Sequence, residues 1–214
     1  AFRYYFDVIM KPFSKFMLQA IERIRPLDIE VICTGHGAVL RNDWKKYVAL
    51  SERYAREALA FPVAGRVLVA YVSAYQNTEL MAKKIAEGIR LTGNLEVDLC
   101  DLEKVTLPEL EQKIIEAAGI LAGCPTFSQN ILLPVYQLFA LINPVRDRNK
   151  PAASFGSYGW SGEGVKIMDT VMTALKLNVV EEGLAVKFTP HEAVQQQCIE
   201  FGRRFGEKMA MEKS

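Results

Sequence analysis

Three short stretches gather most of the side chains here that could do chemistry on a bound molecule: Ser73-Ala74-Tyr75-Gln76-Asn77-Thr78, Cys124-Pro125-Thr126-Phe127-Ser128-Gln129-Asn130, and Ser157-Tyr158-Gly159-Trp160-Ser161-Gly162-Glu163-Gly164. They offer hydroxyls, amides and aromatic rings, and no Lys or Arg. Without a Gly-x-x-x-x-Gly-Lys run, nucleoside triphosphate hydrolysis is a poor reading. In the first stretch, Ser73, Asn77, Thr78 and the free amides of a following helix could grip a phosphate monoester. A helix N-terminus alone contributes about 0.3–1 kcal/mol, up to ~2 when partly buried, so the hydroxyls are needed as well. The plainer reading is a helix N-cap at Asn77 or Thr78, and at this point both stay open.

The other two stretches add aromatics. Phe127 stands beside a hydroxyl and two amides, while Tyr158 and Trp160 alternate with glycines that let a ligand approach the backbone closely. Core packing explains any one of Tyr75, Phe127, Tyr158 and Trp160. Four on three converging loops suit a flat, partly apolar ring with polar edges. A ring plus a single phosphate reads as flavin mononucleotide (FMN).

Convergence requires a particular scaffold. Arg66-Val67-Leu68-Val69-Ala70-Tyr71-Val72 is apolar on both faces, as a buried parallel strand should be. Met81, Ile85 and Ile89 then share one face of a helix reaching Arg90. Further strands are expected at Leu95–Leu99, Gly119–Gly123, Ala152–Gly156 and Val179–Val186. Helices are expected at Glu109–Ala118, Ile131–Ile142 and Gly164–Leu175, and after Thr189-Pro190 with a stripe of Val194, Cys198, Phe201 and Phe205. This alternation predicts a doubly wound α/β domain. With a five-stranded parallel sheet in the flavodoxin-like order 2-1-3-4-5, ligands bind where strands 1, 3 and 4 end. The three chemical stretches follow those strands.

Residues 1–60 form a shorter leading unit, a small α/β fragment. Phe2–Met10 reads as helix, broken at Pro12. Helical spacing resumes at Phe13 and runs to Ile24. A brief strand is expected at Ile29–Cys33, then Thr34-Gly35-His36-Gly37, then a helix from about Asp43 to Ala60 burying Trp44, Tyr47, Val48 and Tyr54. Residues 61–65, rich in Pro and Gly, read as a linker.

Arg66 to about Lys208 resembles the flavodoxin-like domain of flavodiiron proteins (A-type flavoproteins). Val67–Glu79 is similar to that family's phosphate loop, and Gly123-Cys124-Pro125-Thr126 and Gly156–Glu163 to its two ring loops. The resemblance implies FMN, its phosphate on Ser73, Tyr75, Gln76, Asn77 and Thr78. The ring would lie near Pro125, Thr126, Phe127, Gln129, Asn130, Ser157, Tyr158, Gly159, Trp160, Ser161 and Gly162. Gln76 stands where many flavodoxins have glycine. Arg3–Ser14 and Thr34–Gly37 resemble the closing portion of the family's metallo-β-lactamase-like domain, where the residue matching His36 is the last ligand of a two-iron centre. The other ligands of that centre are absent here, so His36 serves as a ligand only in a complete site. The resemblance further implies a rubredoxin-like electron donor, an N-terminal di-iron domain, a homodimer or higher assembly, and reduction of dioxygen or nitric oxide by the complete protein.

Composition fits this setting. The chain has 214 residues, a net charge of +1 and no basic block, which argues against nucleic acid or an anionic membrane as partner. No apolar run is long enough to span a bilayer. Four scattered cysteines suit a reducing, cytoplasmic setting. Cys33, Cys100 and Cys198 read as small core residues, Cys124 as packing and His191 as solvated. The two histidines are too few for a self-contained metallo-hydrolase. A receiver domain would need acidic residues where the first strand ends in Tyr71-Val72-Ser73. A stand-alone flavodoxin-like carrier or quinone reductase is the alternative function.

Overall fold

The structure, a computed structural model, describes residues 2–211 and divides into two compact units, Ala1–Phe61 and Pro62–Ser214. In the first, α1 (Phe2–Tyr5) runs into a π-helical turn at Phe6–Met10 and a 3-10 turn at Lys11–Phe13, before α2 (Ser14–Ile24) and α3 (Trp44–Leu59). The expected single helix over Phe2–Met10 is thus a change of helical pitch. Pro12, with no N–H to donate, sits in the tightened turn.

This unit's core is small and aromatic. Phe6 is buried with its ring 5.4 Å from that of Tyr54, and Phe2 lies 5.3 Å from Tyr47. Trp44, Tyr47, Val48 and Tyr54 are half-buried rather than buried, and within α3 only Ala55 is fully enclosed. The strand expected at Ile29–Cys33 is absent: a lone antiparallel bridge joins Ile32 to Leu40, and Glu30, Val31 and Cys33 are exposed. With no neighbouring strand to pair with, an alternating pattern does not make a sheet. Cys33 is correspondingly an exposed thiol, not a core residue.

The second unit alternates strands and helices. In order they are β1 (Arg66–Tyr71), α4 (Asn77–Arg90), β2 (Glu96–Asp101), α5 (Leu107–Glu116), β3 (Gly119–Gly123), α6 (Leu133–Leu141), β4 (Pro151–Tyr158), α7 (Glu163–Ala174), β5 (Asn178–Val179), β6 (Leu184–Lys187) and α8 (Glu192–Met211). The sheet order is β2-β1-β3-β4-β5, all neighbours parallel, giving the flavodoxin-like α/β fold. One expected strand, Val179–Val186, is split. Its halves β5 and β6 both pair with β4, separated by a turn at 180–183. That turn is held from two sides, by Lys208 and Arg204 on the Glu181 carboxylate and by Asp169 accepting the Gly183 N–H at 3.3 Å.

Burial on both faces follows from the period-two alternation of β1. Val67, Val69 and Tyr71 pack under α4 and α8, with Met81, Ile85, Ile89, Phe201 and Phe205. Leu68, Ala70 and Val72 pack under α5, α6 and α7, with Ile114, Leu138 and Met168. The crossing of α4 and α8 depends on glycine. A Cβ at Gly88 would lie 1.9 Å from the Ile199 carbonyl, and one at Gly202 2.0 Å from that of Ile85. The apolar helix stripes therefore do more than cover the sheet. They fix where β1, β3 and β4 end, and so where their loops meet.

Candidate functional site

The phosphate-like stretch forms the turn from β1 into α4. Gln76 immediately precedes α4 with φ 62, the left-handed conformation glycine adopts without strain. Ser73 Oγ accepts the Glu79 N–H at 3.1 Å, so Ser73 supplies the capping expected of Asn77 or Thr78. The N–H groups of Asn77 and Thr78 have no acceptor among the described residues. Two donors at a helix N-terminus thus face the loop, as an anion requires.

Thr78 itself is buried, and its hydroxyl lies 3.0 Å from that of Ser157, which is also buried. The Ser157 carbonyl accepts the Thr126 N–H at 2.9 Å, and Thr126 Oγ1 accepts the Gly164 N–H at 3.2 Å. Ser157 thereby joins all three loops. These hydroxyls tie the loops together, beside the backbone amides, Asn77 and Tyr75.

The middle loop is a tight hairpin. Phe127 and Asn130 exchange backbone hydrogen bonds at 3.0 and 2.8 Å, with Ser128 at φ 49 and Gln129 at φ 60 between them. Two successive positive φ values are the signature of a type I′ turn, which favours Asn or Gly. Asn130 Oδ1 accepts from the Ile131 N–H and the Tyr136 hydroxyl, both at 2.8 Å. At the loop's base, buried Cys124 donates its thiol to the Pro125 carbonyl and accepts the Leu132 N–H, each at 3.2 Å. Burial pushes this thiol up to about 11, so it stays protonated and inert. Pro125 is buried beside it, while Ser128 and Gln129 are exposed.

The aromatics are only partly brought together. Tyr75 and Phe127 stack on each other across two loops, with centroids 6.3 Å apart and planes 19° apart. Tyr158 is half-buried, lying against Gly162, with Ser161 half-buried beside it. Trp160 is 96% exposed and has no ring partner among the described residues. A large aromatic left in water beside free amides is the polarity expected of a site whose ligand supplies the missing apolar face.

Two residues at this rim had no role in the sequence reading. Glu163 Oε2 is a buried oxygen with no hydrogen-bond partner among the described residues. An unpaired buried carboxylate oxygen is costly and marks a site that is incomplete by itself. Phe188, at φ 60, donates its N–H to the Tyr158 carbonyl at 2.7 Å. Only its place at the end of the last strand, before Thr189-Pro190, hinted that it stands on this rim. Donor amides, an unmatched carboxylate and the unstacked Trp160 fit a ligand carrying a phosphate and a flat, N–H-bearing ring.

His36 is exposed in the other unit, on the wall of an apolar cleft of about 690 Å³. No group of three or more His, Cys, Asp or Glu able to hold a metal occurs among the described residues, so the residues present do not fit a two-iron centre. His191 is exposed, as expected.

Comparison with known proteins agrees with this fold. Residues 69–202 match the flavodoxin family. The type A flavoprotein fprA of Rhodobacter capsulatus is 36% identical, over 98% of this chain and 48% of its own. The chain thus spans about half the length of the curated relatives it matches. The solved rubredoxin oxygen:oxidoreductase of the anaerobe Desulfovibrio gigas is 27% identical with a TM-score of 0.76, over 98% of this chain and 52% of that one. A flavodoxin from the domain Archaea is 29% identical with a TM-score of 0.58, over 68% of this chain and 99% of its own. The chain belongs to the flavodoxin family, and its relatives are type A flavoproteins and flavodiiron proteins.

Proposed function

We propose that this chain is the FMN-binding electron-transfer module of a flavodiiron-type oxidoreductase. The observation that carries the reading is the convergence of three loops tied through Ser157, with the Asn77 and Thr78 amides free beside them. In this reading those amides, with Ser73, Tyr75, Gln76, Asn77 and Thr78, hold the phosphate. The loops at Pro125–Asn130 and Ser157–Gly162 hold the ring, with Phe127 and Trp160 excluding water from its faces. FMN supplies reversible electron transfer, and the protein's part is to hold it and set its potential.

Residues 1–60 are then the closing portion of a metallo-β-lactamase-like domain, residues 61–65 a linker, and residues 66–214 the FMN domain. His36 is a metal ligand only once an N-terminal di-iron domain completes its site. Electrons come from a rubredoxin-like donor and pass to the irons for reduction of dioxygen or nitric oxide, in a cytoplasmic homodimer or higher assembly. The relative named for rubredoxin and oxygen supports this donor and acceptor. No helix among the described residues is long and apolar enough to cross a membrane. A second reading, a free electron carrier, is favoured by the archaeal flavodoxin that matches along 99% of its length.

Adding FMN to the purified apoprotein should give a yellow, stoichiometric complex with quenched flavin fluorescence. A protein that stays colourless would sink the proposal. Iron analysis of the same chain should show sub-stoichiometric metal, and full two-iron loading would refute the reading of residues 1–60.

A further inference from the structure

Phe188 combines features that ordinary strand-end packing does not explain. It directly follows β6, whose Lys187 pairs with Tyr158. There the chain takes φ 60, a conformation that is a genuine outlier for a bulky side chain. Strain of this kind persists only where the surroundings hold it, and it clusters at ligand clamps. Here the Phe188 N–H is held by the Tyr158 carbonyl at 2.7 Å.

The strain does not serve burial, because Phe188 remains 60% exposed. It turns the ring onto the loop instead. A Cβ built on Gly159 would find only two non-neighbouring atoms within 4 Å, both in the Phe188 ring, at 3.5 and 3.9 Å. Lys187 Nζ stands 5.4 Å from the centroid of that ring. Gly159, next to the exposed Trp160, therefore faces one strained aromatic.

Resting on the FMN reading above, we infer that Phe188 is a positioning residue for the flavin ring, acting through Gly159 and Trp160. It braces the outer side of the loop so that Trp160 is held for stacking. A β-strand end needs neither an aromatic nor a positive φ at this position.

The test exploits an opposition of signs. Phe188→Gly removes the ring and relieves the backbone strain. The apoprotein's thermal midpoint should be unchanged or higher, while the dissociation constant for FMN rises about five- to twentyfold. Bound-flavin fluorescence should increase and the flavin's midpoint potential should shift. Phe188→Tyr should restore wild-type values of all three flavin readouts. If Phe188→Gly does not fold, Phe188→Asn, which tolerates φ 60, should show the same weakened binding. Binding within twofold of wild type, with unchanged fluorescence and potential, in whichever of these two variants folds overturns the inference alone. Failure of the wild-type chain to bind FMN overturns the proposed function, and this inference with it.

Discussion

Where the strands of the sheet begin, charges meet opposite charges; where β1, β3 and β4 end, hydroxyls, amides and aromatics meet one another or, at Trp160, no other ring among the described residues. At the beginning, Arg66 pairs with Glu116 at 2.5 Å and Lys113 with Asp98 at 2.6 Å. Asp147, fully buried, accepts from Arg146 at 2.7 Å, Lys150 at 2.8 Å and the Asn143 N–H at 2.9 Å. The two left-handed residues other than glycine at this end have ordinary reasons. Asn149 is a residue type that tolerates the conformation, and Lys176 closes the C-terminus of α7. At the other end Gln76, the Ser128-Gln129 pair of the type I′ turn and Phe188 are left-handed although none is a residue type that favours the conformation, and Glu163 Oε2 has no partner among the described residues. One end of the sheet stabilises. The other stores strain, on the order of 1–3 kcal/mol per residue, that the first must offset.

The largest effect should therefore come from the stabilising end. Asp147→Ala leaves Lys150 buried without its carboxylate and should cost about 3–5 kcal/mol in denaturant unfolding. FMN binding by the folded fraction should be unchanged. A loss below about 1 kcal/mol would break the contrast between the two ends.

The same carboxylate sets a pH dependence. Burial opposes its charge, but Arg146 and Lys150 beside it hold its pKa below the ordinary Asp value. A depressed folded-state pKa means the unfolded chain binds the proton more readily. Its stabilisation is thus present above the unfolded pKa and is lost as pH falls through the folded one. Asp147→Asn should flatten that acid limb of stability against pH, leaving the profile above neutrality unchanged in shape.

A smaller effect should come from the link between loops. Thr78→Val removes the hydroxyl that faces Ser157 at 3.0 Å and leaves a buried hydroxyl unpaired. The expected cost is about 1–3 kcal/mol, and FMN affinity should fall as the phosphate and ring loops lose their tie. Stability lost with affinity intact would mean that Ser157 does not couple them.

The repeating parts of this architecture were legible because each strand and helix has its own period. β3 falls on Gly119–Gly123 as read, and the three loops were locatable because strand order alone selects them. The break in the last strand had only Glu181-Glu182-Gly183 to signal it. Val180 continues the apolar run, and the turn is imposed from outside by Arg204, Lys208 and Asp169, far away in sequence. The leading unit misled for a related reason: Ile29–Cys33 has a strand's pattern without a partner strand. Among the site residues, types were readable but mutual contacts were not: the Thr78 and Ser157 hydroxyls also bond to each other. Phe188 has no motif around it, because nothing in a phenylalanine signals a positive φ.

Trp160 gives the finest test of the contrast between the two ends. At 96% exposed it contributes almost no packing to the free protein, so Trp160→Ala should change unfolding free energy by less than about 0.5 kcal/mol. If the ring-site reading holds, the same change removes an aromatic stack of about 0.5–1.5 kcal/mol. That corresponds to a two- to about twelvefold weaker FMN dissociation constant. Bound-flavin fluorescence should rise as well, since an indole against the flavin quenches it. Asp147→Ala and Trp160→Ala are therefore expected to be mirror images, one losing stability with binding intact and the other losing binding with stability intact. Should Trp160→Ala lose neither, the exposed indole would have to face something other than the flavin, and the ring would rest on Tyr75 and Phe127 alone.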